Sequence, residues 1–203
     1  EVREELFFLL YRILFVLYAE DRGLLPIDNK NYFDEYSISR LKKELILPLD
    51  RGESEAEILK KIAPAGLWKR FVGLFEIINQ GSAALNVKNI NLPAYNGRLF
   101  SNKDTFGKKR KLSEWIFQDD VLIDALGFFF RAVDRGKNSF FIDYSTLETR
   151  HLGSVYEGLL EYRLKVEKGN VHLETDKGER KASGSYYTPN YIVEYIVDKT
   201  IGP

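Results

Sequence analysis

The sequence predicts a mainly α-helical protein with one small β-hairpin near its C-terminal end. Apolar residues recur at helical spacing through most of the chain, whereas after residue 161 two short runs alternate apolar and polar residues. Hydrophobic residues make up 44% of the 203 residues, which suffices for a buried core and excludes a disordered chain. We therefore expect a helical domain over residues 1–161, followed by a hairpin, a turn and a helix over residues 162–203.

Four helices are predicted in the first 80 residues, each bounded by residues that start or stop helices. The first helix is apolar nearly all round, which predicts burial at the centre of the domain. Proline and glycine end these helices, and a serine N-cap starts one of them. The predicted spans are residues 3–22, 32–47, 54–62 and 66–79. The bounding residues are Gly23, Pro26, Pro48, Ser54, Pro64 and Gly81.

The next part of the chain predicts a long loop and two more helices. Residues 81–112 are rich in Gly, Asn, Pro, Ser and Lys, and long loops in compact domains are usually functional or mobile. Helical spacing of apolar residues predicts a helix over residues 113–134. Asp143 or Ser145 can cap a further helix that continues to about Glu161.

The C-terminal part predicts the hairpin and a last helix. Alternating runs at 162–167 and 171–175 flank Gly169-Asn170, which is a typical hairpin turn. A final helix is expected from about Pro189 to Thr200, before Gly202-Pro203.

Composition excludes several classes of site. The 30 Lys and Arg residues balance the 30 Asp and Glu residues, so a strongly basic DNA-wrapping domain is excluded, although a local basic patch is not. The chain has no Cys and only His151 and His172, so we expect no disulfide, no thiolate nucleophile and no metal site. The acids of segment 18–21 (YAED) are not followed by the lysine of a nuclease metal site.

The most apolar stretch, Leu6–Ala19, is 14 residues long and contains Arg12. A bilayer span needs about 20 apolar residues, so this stretch predicts a buried helix, with no membrane partner. Acids flank it, unlike a signal peptide, and we expect a soluble, cytoplasmic protein. The chain has no Met, so we expect a segment of a longer protein; the alternative is that modified methionines are missing from the sequence.

The most informative segment is 184–189 (GSYYTP). Thr188 is a good N-cap, and Pro189 suits the first helical position, where its missing N–H has no cost. A helix start of this kind presents backbone N–H groups and the positive end of the helix dipole to an anion. Spacing alone leaves two readings open, an anion site and an ordinary capped helix.

Four segments together resemble one enzyme family. Residues 180–203 (RKASGSYYTPNYIVEYIVDKTIGP) resemble the opening of the methyltransferase domain in Type IIG restriction–modification enzymes, which fuse a nuclease to a methylase, and in their BREX-type anti-phage relatives. Three earlier segments resemble the same family in the family's order. They are LLYRILFVLYAEDRGLLP at 9–26, LPAYNGRLF at 92–100 and HLGSVYEGLLEYRL at 151–164.

The resemblance implies that the Tyr-Thr-Pro segment is the first motif of an N6-adenine DNA methyltransferase with permuted motif order. Thr188 would then help to hold the methionine end of S-adenosylmethionine, with Tyr187 and Pro189 shaping the turn. For the longer protein the resemblance implies S-adenosylmethionine as cofactor and double-stranded DNA as partner. Residues 1–161 would be a helical connector between a nuclease, when present, and the methylase, and residues 162–203 the opening of the methylase domain.

The family's catalytic motifs are not found within residues 1–203. Its Gly-rich cofactor loop and its Asn-Pro-Pro-Tyr motif both follow the Tyr-Thr-Pro segment. Segment 91–95 (NLPAY) has a residue between Asn and Pro and lies upstream of Thr188, so it is not expected to act as that motif. We therefore expect no catalytic residue in this chain, and weak or no binding of S-adenosylmethionine by the chain alone.

Two basic clusters are candidate DNA contacts. They are Lys103 with residues 108–111 (KKRK), and Arg180-Lys181; each either binds phosphates or is a solvated loop. Two other functions stay open: a modification subunit of a Type I system, and a helical protein–protein adaptor without a cofactor.

Overall fold

The computed structural model describes residues 2–95, 97–104, 106–148, 151, 153–155, 158, 162–167, 170–175 and 188–201. These residues are mainly helical and include an antiparallel hairpin at 162–175, which confirms the predicted fold class. Contacts divide the chain into two compact units, Glu1–Thr146 and Leu147–Pro203. This division lies earlier in the chain than the boundary predicted after residue 161.

Helix α1 (Val2–Asp21) supplies much of the core of the first unit. Its apolar side chains are buried on several sides, in agreement with the all-round apolar pattern, and each contributes about 2 kcal/mol by leaving water. The helix also buries Arg12 and Glu20. Buried charges need hydrogen-bonding partners, and both side chains have them. The buried apolar residues of α1 are Leu9, Ile13, Leu14, Val16, Leu17 and Ala19.

The single helix predicted over residues 32–47 is wrong, because the chain forms two helices there and turns between them. Helix α2 (Lys30–Glu35) ends before Ser37, and helix α3 (Ile38–Leu41) starts after it. The Ser37 hydroxyl accepts a hydrogen bond from the Arg40 amide, and the Glu20 carboxylate accepts bonds from the first two amides of α3. A carboxylate brought from α1 therefore starts a new helix where the apolar pattern alone predicts continuity.

Pro48 does not end the helical segment, which corrects a second expectation. A π-helical turn (Lys42–Ile46) follows α3, and helix α4 (Leu47–Asp50) includes Pro48 in its first turn. The Leu47 amide donates to the Lys42 carbonyl, five residues back. Pro48 has no backbone N–H to donate, and the change from π-helical to α-helical bonding falls directly before it.

The next two helices match their predictions. They are α5 (Glu55–Ile62) and α6 (Leu67–Gln80). Gly81 ends α6 in the left-handed region, with φ of 81°. A Cβ atom at Gly81 would lie 2.7 Å from the Ala94 amide nitrogen, so the segment around residues 92–95 packs directly against the end of α6.

The helix predicted over residues 113–134 is too long at both ends. Residues Lys111–Glu114 form a 3₁₀ turn, and helix α7 covers Asp119–Phe130. Strand β1 (Arg131–Val133) follows at once and pairs antiparallel with β2 (Ser139–Phe141). The apolar residues that lead into β1 fit a helix and a strand equally well. The turn between β1 and β2 selects the strand. In this turn the Asp134 carboxylate accepts a hydrogen bond from the Asn138 amide.

The second unit contains the predicted hairpin and last helix. Strand β3 (Tyr162–Glu167) pairs antiparallel with β4 (Asn170–Thr175). Asn170 pairs with Glu167 and so belongs to the strand rather than to the predicted turn. Before the hairpin, residues 151, 153–155 and 158 are helical, and helix α8 covers Asn190–Thr200. Within the described part of the chain no helix is long and apolar enough to cross a membrane.

Candidate functional site

The predicted cofactor site lies at the start of α8, and the structure describes two of its three residues. Thr188 and Pro189 are exposed, whereas Tyr187 lies outside the described residues. Pro189 is the N-cap, with φ of −54° and ψ of 143°, and its carbonyl accepts from the Ile192 and Val193 amides. The predicted register, with Thr188 as N-cap and Pro189 inside the helix, is therefore wrong by one residue. The extended ψ of Pro189 keeps it outside the helix.

A proline N-cap leaves the helix start open to a ligand. Pro189 has no side-chain acceptor, so among the described residues the N-cap makes no side-chain bond to the first amides of α8. The exposed Thr188 hydroxyl lies next to the cap in sequence. Backbone amides, a hydroxyl and the positive end of a helix dipole are the donors that suit a carboxylate. The residues present therefore fit the methionine carboxylate of S-adenosylmethionine.

Helix α8 also exposes its apolar side chains. Tyr191 is 71% exposed, and Val193, Ile196 and Val197 are exposed as well, while Ile192 is half-buried. The 3.6-residue spacing places residues 192, 193, 196 and 197 on one side of the helix. An apolar helix face of this kind is stabilised when another element covers it.

The acidic segment 18–21 has a structural role. Glu20 is fully buried and accepts four hydrogen bonds of 2.8–3.0 Å, which satisfy both carboxylate oxygens. Two donors are the Ile38 and Ser39 amides, and the others are the Tyr32 and Ser37 hydroxyls. Burial, and then the charge of Glu20, raise the pKa of Tyr32 above its ordinary value. Among the described residues no group of His, Asp and Glu is placed to hold a metal ion.

Asp21 and Arg22 connect the end of α1 to residues that are distant in the sequence. The Asp21 carboxylate accepts from the Tyr144 amide at 2.9 Å, and Arg22 Nε donates to the Ser145 carbonyl at 2.9 Å. These roles were not predicted from the sequence. The available signal was three consecutive charged residues, Glu20, Asp21 and Arg22, directly after a long apolar stretch.

Two of the four family-like segments pack against each other. Arg12 Nε donates to the Leu99 carbonyl at 2.7 Å, and Tyr95 Oη donates to the Leu24 carbonyl at 2.9 Å. The Phe15 and Phe100 rings meet edge to face, with centroids 5.3 Å apart. Burial, and then the charge of Arg110, lower the pKa of Arg12 to about 10, so its guanidinium stays charged at neutral pH. Segments 9–26 and 92–100 are therefore one packed structure.

The candidate DNA contacts divide into buried and exposed residues. Arg110 is buried, with its guanidinium 3.4 Å from the centroid of the Phe8 ring and 4.0 Å from a Glu5 carboxylate oxygen. Arg110 therefore fits neither of the two possibilities left open by the sequence, a phosphate contact or a solvated side chain, whereas its lysine neighbours are exposed. The second basic cluster, Arg180-Lys181, lies outside the described residues.

Segment 91–95 makes structural contacts as well. The buried Leu92 amide donates to the Ser82 hydroxyl, and the Leu92 carbonyl accepts from the Ser82 amide at 2.9 Å. These bonds join the segment to the end of α6.

Comparison of the whole chain with protein-family models, with curated proteins and with solved structures gives no match.

Proposed function

We propose that this chain is the helical connector and first methyltransferase motif of a restriction–modification protein. That longer protein would transfer a methyl group from S-adenosylmethionine to adenine N6 in double-stranded DNA, within the cytoplasm. The observation that carries the proposal is the start of α8, where Thr188 and the N-cap Pro189 are exposed and the N-cap has no side-chain acceptor of its own. The ordered resemblance of four segments to this enzyme family supports the same assignment.

In this proposal the chain positions other modules and catalyses no step itself. S-adenosylmethionine supplies the methyl group when bound. Thr188 and the first amides of α8 hold its methionine carboxylate, and the rest of the pocket comes from the family's later motifs. The exposed apolar face of α8 supports this role, because a methyltransferase core would cover it.

The polar contacts at the end of α1, of which only those of Glu20 are buried, suit a rigid connector. Glu20, Asp21 and Arg22 fix the end of α1 to α3 and to the 3₁₀ turn Tyr144–Thr146. A connector that holds two catalytic modules at a set spacing needs such fixed joints. The same features fit a Type I modification subunit, and an upstream nuclease in the longer protein would distinguish the Type IIG arrangement.

One observation favours the adaptor alternative. Phe128 on α7 is 84% exposed, and Val133 on β1 and Phe140 on β2 are exposed nearby along the chain. Exposed apolar side chains of this number typically mark a protein-binding surface. An adaptor would use this surface and would bind no methyl donor, so cofactor binding separates the two functions.

The test measures S-adenosylmethionine binding by the longer protein with titration calorimetry. Thr188→Ala should weaken binding by about 1 kcal/mol, roughly fivefold in Kd, because one hydrogen bond is lost. Thr200→Ala is the matched control, since Thr200 lies at the other end of α8 and its hydroxyl donates to the Ile196 carbonyl. An unchanged Kd for Thr188→Ala, or micromolar binding by the 203-residue chain alone, contradicts the proposal.

A further inference from the structure

A tight turn in the long loop holds an aromatic side chain outward. Lys103 and Lys109 form an isolated antiparallel bridge, and we call the described residues between them, 103–104 and 106–109, the lysine turn. The Asp104 carboxylate accepts from the Phe106 amide at 2.9 Å and from the Lys108 amide at 2.8 Å. Gly107 takes a left-handed conformation, with φ of 80°. These bonds shape the turn before any partner binds.

Phe106 is the most exposed large apolar side chain in the described part of the protein, at 94%. Its neighbours in the sequence from 103 to 109 are lysine, aspartate, threonine and glycine rather than further apolar residues. A protein partner would therefore meet a single apolar anchor, whereas protein interfaces bury clusters of them. One isolated ring flanked by cations instead suits a polyanion that can accept a flat side chain.

Hydrogen bonds and a buried side chain hold the two ends of the lysine turn in place. The Arg110 amide donates to the Asn102 carbonyl at 2.8 Å, and the Arg110 side chain is buried against Phe8. The Leu112 amide donates to Glu5, and Arg12 donates to the Ser101 carbonyl at 2.9 Å. Both ends of the turn are thus bonded to α1, which fixes where Phe106 is presented.

The charge of this region differs sharply from that of the whole chain. Residues 103–111 contain five basic side chains and one acid in a chain whose net charge is zero. Two of the five, Lys109 and Arg110, lie within 4.0 Å of the carboxylates of Glu114 and Glu5, which reduce the local excess of positive charge. Lys103 and Lys109 are bridge partners, and like charges placed opposite each other destabilise a strand pair. Neither Lys103 nor Lys108 takes part in an ion pair among the described residues. Bound phosphates would remove this repulsion.

We propose that the lysine turn is a DNA-binding wedge. Lys103, Lys108 and Lys109 bind backbone phosphates of a duplex, and Phe106 inserts between base pairs from the minor groove and unstacks them. Phenylalanine is among the side chains that kink DNA in this way, and lysine–phosphate contacts provide affinity without sequence specificity. The proposal deepens the proposed function and rests on it, because it names the surface through which the connector meets its DNA.

The test uses the 203-residue chain and a duplex that contains 2-aminopurine, whose fluorescence rises when it is unstacked. Binding is followed by anisotropy between about 50 and 200 mM salt. Wild type should bind and raise the fluorescence. Phe106→Ala should bind about tenfold more weakly and abolish the rise. Phe128→Ala removes an equally exposed ring on α7 and should behave as wild type.

A charge series tests the phosphate contacts separately. Replacing Lys103, Lys108 and Lys109 with Gln should lower the slope of log affinity against log salt by about 2 to 3, or about 0.9 for each phosphate contact. The matched control replaces three exposed lysines elsewhere in the first unit and should leave the slope nearly unchanged. These control residues are Lys60, Lys61 and Lys69.

Three results would overturn the wedge. They are no duplex binding at low salt, equal behaviour of the Phe106 and Phe128 variants, and Phe106-dependent binding that is tighter for single strands or RNA than for duplex DNA. Both phenylalanines are exposed, so unchanged thermal unfolding will show that the variants are folded. Duplex binding by this chain needs no methyl donor. If the wedge proposal fails, the prediction for Thr188→Ala is unaffected. If Thr188→Ala leaves cofactor binding unchanged, the wedge proposal is unaffected.

Discussion

Glu20 and the lysine turn both concentrate charge in the first unit, yet they use it in opposite ways. Around Glu20, one carboxylate is fully buried and accepts four hydrogen bonds. In the lysine turn the cations face solvent, and two of them are bridge partners. Charge inside the core stabilises this fold only where its donors or acceptors are satisfied. Charge in the turn contributes nothing comparable to stability, which leaves it available to bind a partner.

Arg110 and Lys109 show the same contrast between adjacent residues. Arg110 is buried against Phe8 and Glu5, whereas Lys109 forms a 3.4 Å ion pair with Glu114 between side chains that are each more than half exposed. An exposed pair of this kind is worth about 0–1 kcal/mol. Two neighbouring basic residues therefore have different roles, one in anchoring the turn and one on its outer side.

The largest effect is expected for Glu20→Ala. This change leaves four donors without their acceptor, two of them backbone amides at the start of α3. We expect a loss of about 4 kcal/mol in the free energy of unfolding, measured by chemical denaturation. Glu57→Ala, at an exposed position of α5, should change it by less than about 0.5 kcal/mol.

Glu20→Gln keeps the size of the side chain and one acceptor oxygen. It should cost about 2 kcal/mol, which allows a measurement even if Glu20→Ala does not fold. Equal stability of the glutamine and wild-type proteins would mean that the carboxylate is not what holds α1 to α3.

Two glycines with nearly the same φ differ in what surrounds them. Gly81 and Gly107 have nearly the same φ, 81° and 80°, but a Cβ would lie 2.7 Å from the Ala94 amide at Gly81 and would meet nothing within 4 Å at Gly107. Gly107→Ala should cost about 1 kcal/mol, the strain of a left-handed alanine. Gly81→Ala should cost about 3 kcal/mol, because the clash is added to the strain of a positive φ combined with a ψ of 157°, which is a conformation essentially restricted to glycine.

Denaturation of both alanine variants measures the difference directly. Equal losses for the two would show that the segment around Ala94 moves away at little cost, and the close packing of residues 92–95 on α6 would then not be a source of stability.

The pattern of apolar and turn residues predicts those helices and strands that depend on residues close to them in the sequence. Helices α1, α5 and α6 follow apolar periodicity and nearby stop residues, and the hairpin β3–β4 follows its alternation. The break before α3 was not predictable, because its cause is a carboxylate on another helix. The burial of Arg110 was hidden for the same reason, since its partners Phe8 and Glu5 lie about 100 residues earlier in the sequence.

The candidate sites were predictable to different degrees. A proline-led helix start was evident at Thr188-Pro189, and the error of one residue arises because proline's extended ψ keeps it at the cap. Phe106 was missed, although an aromatic residue within a lysine- and glycine-rich loop was visible in the sequence. Its significance depends on exposure, which only the fold determines.

The smallest expected effect is a gain, rather than a loss, in the free energy of unfolding. Lys103→Gln removes one of two like charges that face each other across the bridge to Lys109. Cross-strand repulsion of this kind costs roughly 0.2–1 kcal/mol, so the variant should be slightly more stable than wild type at low salt. The gain should vanish at high salt, where the Debye length falls to about 3 Å at 1 M. A loss of stability at low salt would mean that Lys103 serves the fold, and the contrast between the buried carboxylate and the lysine turn would then fail at this position.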